Sequence, residues 1–107
     1  MGVWMGGEDL GRFSDPALFV LASLADGEKH GYAMMEDIEE MCGTRLGPGT
    51  LYGALARLER RALVEPLGSD DRRKPYRLTA AGASALEERL RELEGFARAG
   101  LGRLATV

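Results

Sequence analysis

Cysteine and histidine occur once each in the 107 residues, as Cys42 and His30. One thiol cannot close an internal disulfide, and one Cys with one His cannot form a structural zinc set. No metal and no cofactor is expected. No apolar run approaches the roughly 18 residues that a membrane helix needs: the stretch from Leu18 to Leu24 stops at Asp26-Gly27-Glu28-Lys29. No membrane association is expected. The start of the chain has no basic leader followed by an apolar run, and position 6 is not Ser or Thr as myristoylation of Gly2 would require. A cytoplasmic location is the expectation. A Ser/His/Asp set, a phosphate-loop lysine and a paired nucleophile and base are all missing, so the chain does not read as an enzyme. Lysine is scarce too, two against twelve arginines.

What is present is a local reversal of charge. The formal net charge is −3, yet residues 44–79 hold eight Arg/Lys against four Asp/Glu, whereas residues 1–43 hold two against nine. An acidic protein that gathers its cations on one segment is expected to meet a polyanion there.

The spacing of residues divides that segment into a helix and a hairpin. Ser14-Asp15-Pro16 offers a cap and a first-turn proline, which predicts a helix from about Pro16 to Ala25. Its apolar residues go round the whole helix, so a second face needs covering by another helix or another chain. A second helix is predicted over about His30 to Cys42, ended by Gly43. A third runs from Gly47-Pro48 to about Arg61, with Leu51, Leu55 and Leu58 on the core side. Its opposite face shows Thr50, Gly53, Arg57 and Arg60 or Arg61, small at one end and cationic at the other, as close approach to a DNA groove requires. Residues 63–67 and 74–78 read as strands of a projecting hairpin, with Arg72, Arg73 and Lys74 on its arm. Thr79 caps a last helix to about Leu104. Its residues Leu86, Leu90, Leu93, Ala97, Gly100 and Leu104 alternate spacings of four and three, the pattern of a helix pairing along a seam. Gly95, Gly100 and Gly102 predict fraying after about Phe96. The fold class is therefore mainly α with a small β-hairpin: a winged helix-turn-helix with a C-terminal dimerisation helix.

Several motifs are more specific in combination. His30-Gly31-Tyr32, Pro48-Gly49-Thr50-Leu51-Tyr52-Gly53-Ala54-Leu55, Arg57-Leu58-Glu59, and Arg72-Arg73-Lys74-Pro75-Tyr76-Arg77-Leu78-Thr79 with Gly82 together resemble the PadR family of bacterial transcriptional regulators. The likeness covers about Ala17 to Leu93, and the length resembles the short subfamily with one C-terminal helix. It implies a ligand-responsive repressor that binds an inverted-repeat DNA operator as a homodimer. It also implies a recognition helix carrying Pro48, Gly49, Thr50 and Tyr52 in the major groove, with the wing on flanking DNA. Ala62 departs from the family, which usually has Gly there, just after the recognition helix, often in a left-handed conformation.

The expected division is a flexible segment over 1–13, a DNA-binding domain over 14–78 and a dimerisation helix over 79–107. The DNA-binding candidates are Pro48, Gly49, Thr50, Tyr52, Gly53, Arg57, Arg60, Arg72, Arg73 and Lys74. The dimerisation candidates are Leu18, Leu21, Leu86, Leu90, Leu93, Ala97 and Leu104. Cavities in such dimers lie between the first and terminal helices, which makes Trp4, Phe19 and Phe96 candidates to hold a small hydrophobic or aromatic effector. Simpler readings stand beside these. The arginines of the third helix could be a solvated face, Tyr52 a core aromatic, His30 a helix-start residue, Cys42 an inert buried or half-buried thiol, and Met34, Met35 and Met41 core filling. The alternative function is a winged-helix module that binds protein through Glu36, Asp37, Glu39 and Glu40.

Overall fold

Proline at a first helical position opens two of the helices. A computed structural model describes residues 15–68 and 74–106. The expected flexible segment and Trp4, Arg72 and Arg73 lie outside the described residues. Helix α1 spans Pro16–Leu24, with the Asp15 carboxylate accepting a hydrogen bond from the Leu18 amide at 3.1 Å. Strand β1 is Lys29–His30, and helix α2 follows directly over Gly31–Cys42. His30 caps α2 through Nδ1, which accepts from the Ala33 amide at 3.3 Å, and Gly43 closes it at φ 74°. Helix α3 is Pro48–Arg60, strands β2 and β3 are Val64–Pro66 and Pro75–Leu78, and helix α4 is Ala80–Ala105.

The hairpin is part of a three-stranded antiparallel sheet in the order β1-β3-β2. Lys29 pairs with Tyr76 and His30 with Pro75, which ties the start of α2 to the wing. Two residues carry no periodicity, so β1 could not be read from the sequence.

The core is built from Val20, Leu24, Met34, Ile38, Leu51, Ala54, Leu55, Leu58 and Val64, with Leu86 of α4 closing it. Burial of each large aliphatic side chain contributes roughly 1.5–3 kcal/mol. Leu18, Phe19 and Leu21 are each only 6% exposed inside this single chain. For Leu18 and Leu21 the expected second cover is therefore supplied by the chain's own helices, and little of either side chain is left for a partner. Ser23 is buried as well, and its hydroxyl donates to the Asp37 carboxylate at 2.6 Å, holding α1 against α2.

The expected fraying of the last helix does not occur, since α4 continues unbroken to Ala105. Glycine lowers helix propensity, but Leu, Ala, Arg and Glu dominate these turns and no proline interrupts them, so the sum still favours helix. Beyond Leu93 all the described side chains are exposed, and the molecule is drawn out to 57 Å along its long axis.

Candidate nucleic-acid interface

Helix α3 presents two unlike faces. Leu51, Ala54, Leu55 and Leu58 are buried, while Pro48, Gly49, Thr50, Ala56, Arg57, Glu59 and Arg60 are exposed and Tyr52 is half exposed. Its first turn has no side-chain cap, so the amides there are not satisfied by a side chain of their own N-cap residue, Gly47.

The end of α3 fixes where the wing leaves. Ala62 adopts φ 60°, the left-handed conformation that glycine usually supplies. Its amide donates to the Glu59 carbonyl at 2.9 Å, and the Leu63 amide donates to the Leu58 carbonyl at 3.0 Å. These paired bonds form a Schellman closure, with Leu63 and Leu58 at the positions that make its apolar contact. Alanine thus takes the left-handed turn here despite its Cβ. Thr79 fastens the far end of the wing to the same place. Its amide donates to the Leu63 carbonyl at 3.1 Å, its hydroxyl donates to the Ala62 carbonyl at 2.7 Å, and its Oγ accepts from the Gly82 amide at 3.0 Å. Any Cβ at Gly82 would overlap the Leu63 carbonyl oxygen, so α4 can start here only with glycine.

Charge pairing separates the cations into two groups. Lys29 meets Asp26, Arg45 meets Glu39, Arg77 meets Glu65, Arg89 meets Asp15, Arg91 meets Glu87 and Arg98 meets Glu94. Among the described residues, Arg57, Arg60 and Arg61 of the α3 end, Lys74 of the wing, and Arg103 have no such acid within 4.0 Å. Four of these five lie on α3, its C-cap and the wing. Arg57, Arg60 and Arg61 also line a small cavity with Ala17 and Leu58. Arg77, by contrast, is committed to Glu65 across the strands at 2.6 Å.

The glycines divide in the same way. At Gly47 and Gly49 an added Cβ would meet nothing within 4 Å, and at Gly53 only the Arg57 guanidinium at 3.8 Å. Among the described residues, no neighbour demands glycine at Gly47, Gly49 or Gly53. Tyr52 reaches across to α2, where its ring lies over Gly31. Tyr76 of β3 stands nearby, and burial raises its phenol above the ordinary value, with smaller contributions from Glu59 and Tyr52.

The remaining candidates fall elsewhere. On α4, Leu86 is buried, Leu93 half-buried against the core, and Ala97 exposed; Leu90, Phe96, Leu101 and Leu104 are 46%, 78%, 68% and 70% exposed. A groove of about 430 Å³ runs beside α4, lined by Ala25, Leu78, Ala83, Leu86 and Leu90 with Glu87, Arg91 and Glu94. Phe19 and Phe96 do not line it. Cys42 is exposed, contrary to the expected burial, because it sits on the last turn of α2 with Sγ 3.2 Å from the Ile38 carbonyl. Met34 and Met35 fill the core as expected, but Met41 is 48% exposed. No helix among the described residues is long and apolar enough to cross a membrane.

Comparison with known proteins agrees with this geometry. A family model described as the transcriptional regulator PadR-like family matches residues 20–88. A 37.1 kDa protein in transposon TN4556 of Streptomyces fradiae is 52% identical over 87 residues, covering 81% of this chain and 24% of that protein. The chain thus spans about a quarter of that relative's length. Transcriptional regulator Rv3488 of Mycobacterium tuberculosis is 43% identical over 88 residues, covering 79% of this chain and 81% of that protein. A solved PadR family transcription regulator from hypervirulent Clostridium difficile superposes with a TM-score of 0.71 at 26% identity, over 78% of this chain and 92% of the other. A winged helix closed by a Schellman turn, a long terminal helix and a family match over most of the domain lead to one conclusion: the chain belongs to the PadR-like family of transcriptional regulators, which is not a class of enzymes.

Proposed function

We propose that the protein is a sequence-specific DNA-binding repressor that acts in the cytoplasm as a ligand-responsive homodimer on an inverted-repeat operator. Residues 14–78 form its DNA-binding part and residues 79–107 its dimerisation helix. The observation that carries this reading is the partition of charges. Other described cations are matched to acids along the chain, Arg103 apart, whereas Arg57, Arg60, Arg61 and Lys74 are left for phosphates. Gly53 supports it, because a glycine inside a helix costs about 1 kcal/mol relative to alanine and, among the described residues, only the Arg57 guanidinium at 3.8 Å lies near its absent Cβ. Pro48, Gly49, Thr50 and Tyr52 then face the major groove, and Arg72, Arg73 and Lys74 the flanking backbone.

The dimer reading rests on α4. Leu90, Ala97 and Leu104 continue the seam begun by Leu86 and Leu93, and Gly100, with nothing within 4 Å of its missing Cβ, allows a second helix to come close. An apolar effector would enter the groove at Leu86 and Leu90, next to that seam. The alternative, protein binding through the acidic face of α2, is weakened in part, because two of its four acids are engaged within the chain: Asp37 with Ser23, and Glu39 with Arg45.

Enrichment of duplexes from a random pool tests the proposal. The expected product is an inverted repeat with half-sites about 10 base pairs apart, one helical turn. Recovery of no common sequence would remove the specificity, and recovery of a single unrepeated site would remove the symmetric dimer.

A further inference from the structure

Gly31 is buried at the first position of α2, and its backbone is not in the left-handed region, so alanine is compatible with the local conformation. What opposes a side chain there is Tyr52. A Cβ on Gly31 would overlap the Tyr52 hydroxyl oxygen and lie 2.6 Å from Cζ and 3.0 Å from Cε1 of the same ring. The nearest obstacle to a side chain here is therefore that ring. That ring belongs to an exposed residue of α3, 48% accessible, with a helix of its own to hold its backbone. A tyrosine on a helix surface ordinarily explores more than one rotamer. Here its outer end rests on the first turn of a different helix, which is in turn anchored to the wing by the pairing of His30 with Pro75.

We propose that Gly31 is a positioning residue for DNA readout: by omitting a side chain it lets Tyr52 lie against α2, and so fixes the direction in which Tyr52 and the neighbouring Thr50 meet the major groove. The proposal rests on the DNA-binding reading above. An added methyl would lift the ring off its seat, because the ring is the movable partner and the backbone of α2 is not. The ring would then lose the direction in which it meets the base edges.

The test is a cycle of four proteins: wild type, Gly31→Ala, Tyr52→Ala and the double variant. Each is titrated against a duplex enriched by the wild type from a random pool and against a scrambled duplex of the same composition, and each is melted. Gly31→Ala should bind the enriched duplex about tenfold more weakly and the scrambled duplex unchanged, the size expected for loss of one base-reading contact. In the Tyr52→Ala background the same substitution should have no further effect, since the ring it displaces is gone. Should Gly31→Ala fail to fold while the double variant folds, the steric conflict between the two residues is demonstrated directly. Additive losses in the double variant, or unfolding of both, would show that glycine serves something other than Tyr52 and overturn the proposal. Equal binding by wild type and Gly31→Ala would overturn it while leaving the DNA reading intact. A wild type that prefers no duplex would bring down both.

Discussion

Gly53 is the residue at which a functional reason for a costly glycine can be tested. It lies in the interior of α3, is half-buried, and has only the Arg57 guanidinium near its absent Cβ. Gly53→Ala should therefore raise the stability of the protein by about 0.5–1 kcal/mol in chemical denaturation while weakening DNA binding. Stabilisation without loss of binding would mean that no backbone approach occurs there. Gly31 and Gly82 are glycines of the other kind, required by a tyrosine ring and a carbonyl oxygen inside the molecule. The sequence shows all three letters alike, and only the packing separates them. Tyr76 supplies a pH-dependent test. Burial holds its phenol protonated to higher pH than in the unfolded chain, so above about pH 10 the folded form retains a proton that the unfolded form has released. Stability should fall as the pH climbs through that region, and Tyr76→Phe should flatten the fall in a series of denaturant melts.

Among the elements, those with strong periodicity were legible in advance. The limits of α2, α3 and β3 were foreseen to within a residue or two because proline, glycine and the apolar spacing mark them. Strand β1 was not, since it consists of two residues whose only signal is their pairing with β3. The last turns of α4 were misjudged because three glycines weighed more in a propensity reading than they do in a long helix rich in good formers. At Leu18 and Leu21 an all-round apolar helix was read partly as a dimer contact, whereas neighbouring helices of the same chain cover it. Two outcomes belong to this scale. Ala62→Gly should stabilise the protein by about 1 kcal/mol, measured as a shift in the denaturation midpoint, because the turn at φ 60° disfavours a Cβ. An unchanged or lower midpoint would mean that the turn carries little strain. For α4, Leu90→Glu with Leu104→Glu should convert a dimer to a folded monomer in sedimentation equilibrium. Persistence of the dimer would place the interface elsewhere.

For the whole molecule, the informative feature was the sign of charge along the chain, and it survives folding in a sharper form. Asp15, Asp26, Asp37 and Glu39 in residues 15–43, and Glu87 and Glu94 of α4, lie close to cations, while Arg57, Arg60 and Arg61 at the α3 end and Lys74 of the wing have no acid within 4.0 Å among the described residues. The candidate site was therefore half legible: its cations and helix α3 came from the sequence, but which arginines are spent on internal pairs did not. Arg77 sits in the basic segment and is engaged with Glu65, and no spacing rule announces that. The most direct measurement is the salt dependence of DNA binding by wild type, Arg60→Ala, Lys74→Ala and the paired control Arg91→Ala. Wild-type affinity should drop about a thousandfold between 50 and 200 mM salt, as for a dimer neutralising six or more phosphates. Arg60→Ala and Lys74→Ala should each flatten the logarithmic slope by about one per subunit, and Arg91→Ala should leave it unchanged. Identical slopes for all four proteins, or a flattening as large for Arg91→Ala as for Arg60→Ala, would contradict the assignment of this face to DNA.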